Sequence, residues 1–240
     1  MEGVSRMRVL VVIPAYNEED NIVSVASMVS NAGYDYVIIN DGSTDSTARI
    51  CREHHLNHID LQINLGIGGA VQTGHKYALQ QGYDVDVQID GDGQHDIAYL
   101  PNLLEKIECG ADLVIGSRFL ENSDGFKSTA LRRAGINWLN ACIYRVSGLR
   151  ITDATSGFRA TGRRALELFA HNYPVDYPEP ESIVLASNSG LTVAEAPVVM
   201  RERQGGTSSI NLWKGGYYMI KVTLAILIEG MNSKRARGGR

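Results

Sequence analysis

Apolar positions in this chain fall into short runs rich in β-branched residues, divided by polar loops and by longer stretches of helical spacing. Arg8-Val9-Leu10-Val11-Val12-Ile13, closed by Pro14, is the pattern of a strand buried on both faces. Tyr36 to Asn40 predicts a second strand, and His58 to Ile63 a weaker third. Val85, Val87 and Ile89 alternate with polar residues as a fourth, and Leu113 to Gly116 reads as a fifth. Helices are expected between them, from the loop after Pro14 through Ser30, over Asp45 to His54 and over Gly68 to Gln81. Ser43 or Thr44 is placed to cap the second of these, and Gly33 and Gly82 stand where helices stop. Leu131 to Val146 has helical apolar spacing, and Ser182 to Ser189 reads as a helix behind the rigid, acidic Pro174 to Glu181. The alternation of β and α to about residue 117 predicts an α/β fold, a mostly parallel sheet covered by helices on both faces.

The fourth strand runs directly into Asp90-Gly91-Asp92-Gly93-Gln94-His95-Asp96, where Gly91 and Gly93 break the extended chain. Ligands of open α/β sheets sit beyond the carboxyl ends of strands. Asp90 and Asp92 share a face of a still-extended chain and suit Mg²⁺ or Mn²⁺, which takes one or two carboxylates together with substrate phosphates. Read alone, such a pair is more often a solvated Asp/Gly turn. Its spacing does not fit a calcium-binding EF-hand loop. Gly66-Ile67-Gly68-Gly69-Ala70-Val71 is not a dinucleotide fingerprint, because Val71 stands where the third glycine belongs.

The run Asp90 to His95 resembles the D-x-D-x-Q-H signature of GT-A glycosyltransferases of family 2, in the branch that contains dolichyl-phosphate mannose synthase. Further motifs follow in the family's order over about residues 8 to 210. Pro14-Ala15-Tyr16-Asn17-Glu18 resembles its first nucleotide loop, with Pro14, Tyr16 and Glu18 lining base and ribose. Asn40 to Asp45 resembles the second, in which Asp41 bonds the base. Asn64 to Ala70 is similar to the N-x-G-x-x-x-A helix start, which brings Gly68 close to the nucleotide-sugar.

The resemblance also implies that Asp90, Gly91 and Asp92, with Gln94 as a further metal ligand, hold the divalent ion on the donor diphosphate. Gly116-Ser117-Arg118 matches a G-S-R motif that turns Arg118 to the site, and Asp153 to Arg159 matches a D-x-x-S-G-F-R acceptor loop containing Ser156 and Arg159. Ala194 to Ser209 resembles an E-x-P-V strand and an R-x-x-G-x-S loop, whose Arg203 and Ser208 would close on the donor. Arg132 and Arg133 stand where the branch holds an acceptor phosphate with R-x-x-x-S, but Ile136 and Asn137 replace the serine. Glu179 and Glu181 are candidates for a proton acceptor. Each position also has a plainer role: capping for the loops, with Asp45 read as a cap, surface exposure for Arg118, an ion pair for Asp153 and Arg159, and a favourable helix dipole for Glu179 and Glu181.

Composition narrows the classes. The chain has 240 residues, 44% of them hydrophobic, enough for one substantial core. A net charge of -4 excludes a body built for nucleic acid, although Lys234, Arg235, Arg237 and Arg240 make the tail basic. Cys51, Cys109 and Cys142 lack metal-ligand spacing and suit a reducing cytosol, and with Met1 to Arg8 polar no secretion signal is expected. Tyr217 to Ile228 is apolar but shorter than a membrane span and contains Lys221. With the basic tail it reads as an interfacial helix, so residues 1–211 are expected to form the catalytic domain and 212–240 a membrane-facing unit. Packing of that helix on the domain or on a second subunit is the alternative.

The expected activity is metal-dependent, inverting transfer from a nucleotide-diphosphate sugar, UDP ahead of GDP, to a polyprenyl phosphate at the cytoplasmic membrane face. The alternative acceptor is a hydroxyl of a cell-surface or lipid-linked glycan. A silent nucleotide-sugar-binding scaffold recruited by a membrane protein is the third reading. A sugar-1-phosphate nucleotidylyltransferase is disfavoured, because Pro14-Ala15-Tyr16 stands where that class has a glycine-rich basic loop.

Overall fold

A computed structural model describes residues 7–120, 130–200 and 219–230. Seven strands form one sheet: β1 (Val9–Ala15), β2 (Asp35–Asn40), β3 (His58–Asp60), β4 (Val85–Gln88), β5 (Leu113–Ser117), β6 (Arg159–Gly162) and β7 (Val193–Pro197), in the order β3-β2-β1-β4-β6-β5-β7. All neighbours run parallel except at β6, which is antiparallel to both β4 and β5. Helices α1 (Ile22–Asn31), α2 (Thr47–Glu53), α3 (Gly66–Gln80), α4 (Leu100–Glu108), α5 (Ala130–Ser147), α6 (Arg163–His171) and α7 (Pro178–Asn188) connect the strands. This is the α/β, GT-A-like architecture expected, a mixed and mostly parallel sheet between helical layers.

The continuous apolar run of β1 serves both layers at once. Val11, Ile13 and Ala15 pack with α1 and α4, through Ile22, Val25, Val29, Leu100 and Leu103. Leu10 and Val12, on the opposite face, pack with Ala70 and Ala78 of α3 and Leu166 of α6. Such double burial is what a parallel strand with β-branched residues on both faces predicts.

Several boundaries differ from expectation for local reasons. β1 continues through Pro14 to Ala15, because pairing with β4 ends at Val12 and only β2 lies alongside Pro14, where a missing N–H is tolerated. Neither Ser43 nor Thr44 caps α2. Asp45 does so, its Oδ1 accepting from Thr47 N at 2.9 Å and Thr47 Oγ1 at 2.6 Å. α7 starts at Pro178 rather than Ser182, since proline fits a first helical turn, and this puts Glu179 and Glu181 inside that turn. β6 and α6 were not expected at all.

Residues 219–230 form a helix. Its Val222 and Ile226 are buried against Leu139 and Ile143 of α5 and Ile183 and Val184 of α7. Trp138 Nε1 of α5 donates to Thr223 Oγ1 at 3.0 Å. Ile220, Leu224, Leu227 and Ile228 point away from this cluster and are exposed. Among the described residues no helix is long and apolar enough to cross a membrane.

Candidate active site

The carboxyl ends of β2, β1 and β4 are adjacent, and the loops leaving them enclose a cleft of about 460 Å³. Pro14, Ala15, Tyr16 and Glu18 line it from β1, Asp41 from β2, Asn64, Gly66, Ile67 and Ala70 from the start of α3, and Asp90, Gly91 and Asp92 from β4. Of the residues expected to hold a donor, Pro14, Tyr16, Glu18, Asp41, Asp90, Gly91 and Asp92 therefore share one wall.

Backbone hydrogen bonds to side chains stitch the loops together. Asn17, in the left-handed region at φ 57°, accepts at Oδ1 from Thr44 N at 2.8 Å, and its own N–H donates to Ser43 Oγ at 3.0 Å. Glu18 N donates to Thr47 Oγ1 at 2.9 Å. Gly42, at φ 65°, has no room for a side chain, because a Cβ there would lie 2.8 Å from Asn64 N. That close approach lets buried Asp41 reach the third loop, where Oδ1 accepts from Leu65 N at 2.7 Å. Asp41 thus holds the start of α3 with one oxygen and lines the cleft.

Gly68 is placed differently from expectation. It is absent from the cleft wall, and a Cβ on it would lie 2.3 Å from the carbonyl oxygens of Pro174 and Val175. Its glycine lets α3 press on that backbone, which explains the small residue without a ligand.

At the end of β4, Asp92 is 7% exposed and accepts at Oδ1 from Gln94 N at 3.0 Å, while the Asp90 side chain is 39% exposed. Among the described residues no group of three or more His, Cys, Asp and Glu side chains could by itself hold a metal. The donor set still suits Mg²⁺ or Mn²⁺, since two carboxylates on the same wall leave the remaining positions to substrate phosphates and water, whereas Gln94, expected as a further ligand, is absent from that wall. Sequence reasoning left His95 without a role. It is buried, its Nδ1 accepts from Asp90 N at 3.0 Å, and its ring stacks on Phe158 with centroids 5.2 Å apart. Burial pushes its pKa down to about 4, against an opposing pull from Asp92, so the imidazole is neutral.

The acceptor-side motifs go elsewhere. Arg118 is 4% exposed and absent from the cleft wall. Its Nε donates to Asp153 Oδ2 at 2.6 Å, and Nη2 to Asp153 Oδ1 at 2.7 Å and Thr155 Oγ1 at 3.0 Å. Glu195 of β7 anchors the same loop, accepting from Thr152 N at 2.9 Å and Asp153 N at 3.0 Å. Burial raises the Glu195 pKa, and these donors oppose the rise. Ser156 and Arg159 are also interior. Arg159 donates to the carbonyls of Ser156 and Ala154 and, from Nη1, to Ser182 Oγ of α7 at 2.8 Å. Arg133 lies 3.6 Å above the Phe119 ring, and its Nη1 is buried without a hydrogen-bond partner among the described residues. Arg132 belongs to the first turn of α5. Arg203 and Ser208 lie outside the described residues.

The two α7 carboxylates separate cleanly. Burial raises the pKa of Glu179, and its charged neighbours are Arg159, which lowers it, and Asp90, which raises it further. Glu181 is pushed up to about 7 by burial and by Asp176 and Glu229, the latter on the 219–230 helix. Of the two, Glu179 is the one that feels the charge of Asp90.

A sequence profile of the family described as Glycosyl transferase family 2 matches residues 10–169, which contain all of the cleft wall. The chain belongs to glycosyl transferase family 2. It is a nucleotide-sugar-dependent glycosyltransferase. The family 2 enzyme is 31% identical over 95% of its length, and 99% of the relative's, to the undecaprenyl-phosphate mannosyltransferase of Micrococcus luteus. It is 31% identical, over 79% of its length and 84% of the relative's, to a UDP-N-acetylglucosamine--dolichyl-phosphate N-acetylglucosaminyltransferase of Methanococcus voltae. In fold it is similar to the glucosyl-3-phosphoglycerate synthase of Mycobacterium tuberculosis solved with Mn²⁺, UDP-glucose and phosphoglyceric acid. There the TM-score is 0.69 at 20% identity, over 94% of this chain and 80% of that one.

Proposed function

We propose that the enzyme moves a sugar, with inversion, from a UDP-sugar to a polyprenyl phosphate at the cytoplasmic face of a membrane. The observation that carries this reading is the joint presence of Asp41, Asp90 and Asp92 on the wall of one cleft at adjacent strand ends. A divalent ion held by Asp90 and Asp92 would balance the negative charge of the donor diphosphate and departing nucleotide. Tyr16 offers the nucleoside an apolar face, and Glu18 an acceptor for ribose hydroxyls. Arg203, from its glycine-bearing loop, would add a forked donor to the leaving group.

UDP is preferred to GDP because Asp41 Oδ1 is occupied by Leu65 N, which leaves Oδ2 as the acceptor without a hydrogen bond among the described residues. Uracil presents a single imide N–H, whereas guanine presents two adjacent donors that a carboxylate pairs best with both oxygens. The UDP-sugar named for the Methanococcus voltae relative supports the same choice.

The lipid acceptor is supported by the two relatives' polyprenyl-phosphate names and by the exposed apolar stripe of the 219–230 helix, to which the sequence adds Lys234, Arg235, Arg237 and Arg240. In this reading residues 212–240 are a unit facing the membrane and 1–211 the catalytic domain, with the 219–230 helix packed on α5 and α7. Arg133, with an N–H lacking a partner among the described residues, and neighbouring Arg132 are assigned to the acceptor phosphate. A phosphate is already ionised at neutral pH, so its oxygen attacks the anomeric carbon without a protein base.

One observation favours a second reading, transfer to a glycan hydroxyl. Glu179 is coupled to Asp90 and its proton affinity is raised by burial, as a general base for a hydroxyl requires. Turnover of UDP- and GDP-sugars with Mn²⁺, with and without a short polyprenyl phosphate, separates the two. Lipid-dependent nucleotide release with sugar on the lipid is expected, reduced roughly 10²–10³-fold in Asp92→Asn by loss of leaving-group stabilisation. Transfer to a glycan alone, abolished in Glu179→Gln, would replace the lipid acceptor. Undiminished turnover in Asp92→Asn would sink the metal assignment.

A further inference from the structure

We infer that Gly157 and His95 are positioning residues that set where the Asp90 carboxylate stands, and with it the affinity of the site for a divalent cation. The inference rests on the reading of Asp90 and Asp92 as cation ligands.

Asp90 is enclosed from two sides, by Gly157, far away in sequence, and by His95 of its own loop. Beneath it passes the backbone that leads into β6. A Cβ on Gly157 would lie 2.9 Å from Asp90 Oδ1, 3.3 Å from Oδ2 and 3.4 Å from Gln88 Nε2. Gly157 is not among the glycines with positive φ, so its backbone does not require a glycine. The space required by the carboxylate is what excludes a side chain. With a larger residue something must shift, and the nearest atoms belong to the end of the Asp90 side chain, so the carboxylate is the group that gives way.

His95 closes the other side. Its Nδ1 accepts the Asp90 N–H at 3.0 Å, so the ring proton of the neutral imidazole sits on Nε2, which lies 3.6 Å from Asp90 Oδ2. One ring therefore holds the Asp90 backbone and stands beside its carboxylate. The ring is 1% exposed and stacked at 19° on Phe158, the residue after Gly157. The 157–158 segment and the 90–96 loop are thus locked to each other, and the carboxylate occupies the gap between them. Nε2 has no hydrogen-bond partner among the described residues, so packing and the Nδ1 bond are what hold the ring.

The test is Mn²⁺ binding measured by electron paramagnetic resonance in the presence of UDP, with thermal melting of every protein as a check on folding. The parent chain binds Mn²⁺, and Asp92→Asn weakens it. Gly157→Ala is expected to weaken Mn²⁺ by about 10–100-fold, the usual effect of disturbing a group that orients a ligand. UDP binding without metal should be unchanged. The amide oxygen of His95→Asn can replace Nδ1 as acceptor and should retain binding, whereas His95→Gln lacks an acceptor there and should lose it by a similar factor. Parent-like Mn²⁺ affinity in Gly157→Ala overturns the role of Gly157. Should that variant melt early, the two His95 variants decide, since equal affinity in both removes the imidazole from the account. Equal binding by the parent and Asp92→Asn refutes instead the cation reading beneath the inference.

Discussion

On the β2-β1-β4 side of the sheet, Asp41, Asp90 and Asp92 open on a common cleft, whereas on the β6-β5 side Arg118, Asp153 and Arg159 turn inward. Both sets of residues stand at or just beyond strand ends, and both belong to motifs with equal chemical promise. The difference comes from strand direction. β2, β1 and β4 are parallel, so their departing loops diverge and leave a hollow between them. β6 runs the other way, so the 153–158 segment that precedes it arrives at the same edge and fills it. Arginines and carboxylates caught under that segment must pair with each other and with backbone carbonyls, because a buried charge without a partner is strongly unfavourable. A charged motif residue at a strand end is thus a ligand-binding candidate or an internal brace according to which way the neighbouring strand runs.

Arg118 is the strongest test of this contrast. Arg118→Met leaves Asp153 buried and unpaired, and the expected loss is about 3–5 kcal/mol of stability. Denaturant unfolding measures it, and UDP binding at low temperature should be unaltered. Full stability combined with weakened acceptor use would move Arg118 to the ligand side. Asp41→Asn should do the reverse, sparing the fold and lowering UDP affinity. The expected loss is about 1–3 kcal/mol, on the order of tenfold to a hundredfold by titration calorimetry. A large stability loss with UDP affinity intact would make Asp41 a brace for α3.

Glu181 gives the smallest effect and sharpens the division between the two α7 carboxylates. Its pKa is raised to about 7 from the usual 4.5. Between those values the unfolded chain has released a proton that the folded chain still holds, so stability falls as pH rises through this window and the loss is complete above it. Glu181→Gln should therefore be more stable than the parent at about pH 8, by on the order of 1–2 kcal/mol after allowance for solvent screening, and converge with it below the unfolded value, at about pH 4. Unfolding curves at the two pH values check this. An equal gain at both would mean that shape rather than charge is responsible.

Local pattern alone determined the α/β alternation, the double burial of β1 and the position of Asp90 and Asp92 beyond β4, because strand period and glycine breaks are properties of neighbouring residues. Resemblance added that Pro14, Tyr16, Glu18 and Asp41 belong with that pair, and the fold brings all of them to one wall. Other features needed the assembled molecule. β6 is a four-residue strand whose pairing with β4 and β5 is non-local, and its Arg159 and Thr161 give no apolar alternation to reveal it. Gly68 looked like a ligand-facing glycine, yet its hydrogen meets the carbonyls of Pro174 and Val175, more than a hundred residues away. Glu179 and Glu181 are equivalent first-turn acids in sequence, and only packing gives one Asp90 as a neighbour and the other Glu229. His95 carried no periodic signal, since its importance lies in a hydrogen bond to Asp90 N and a ring face against Phe158. Sequence determines what local geometry and composition permit. Which charges face a ligand and which brace the interior depends on contacts between distant segments, and those exist only once the sheet has closed.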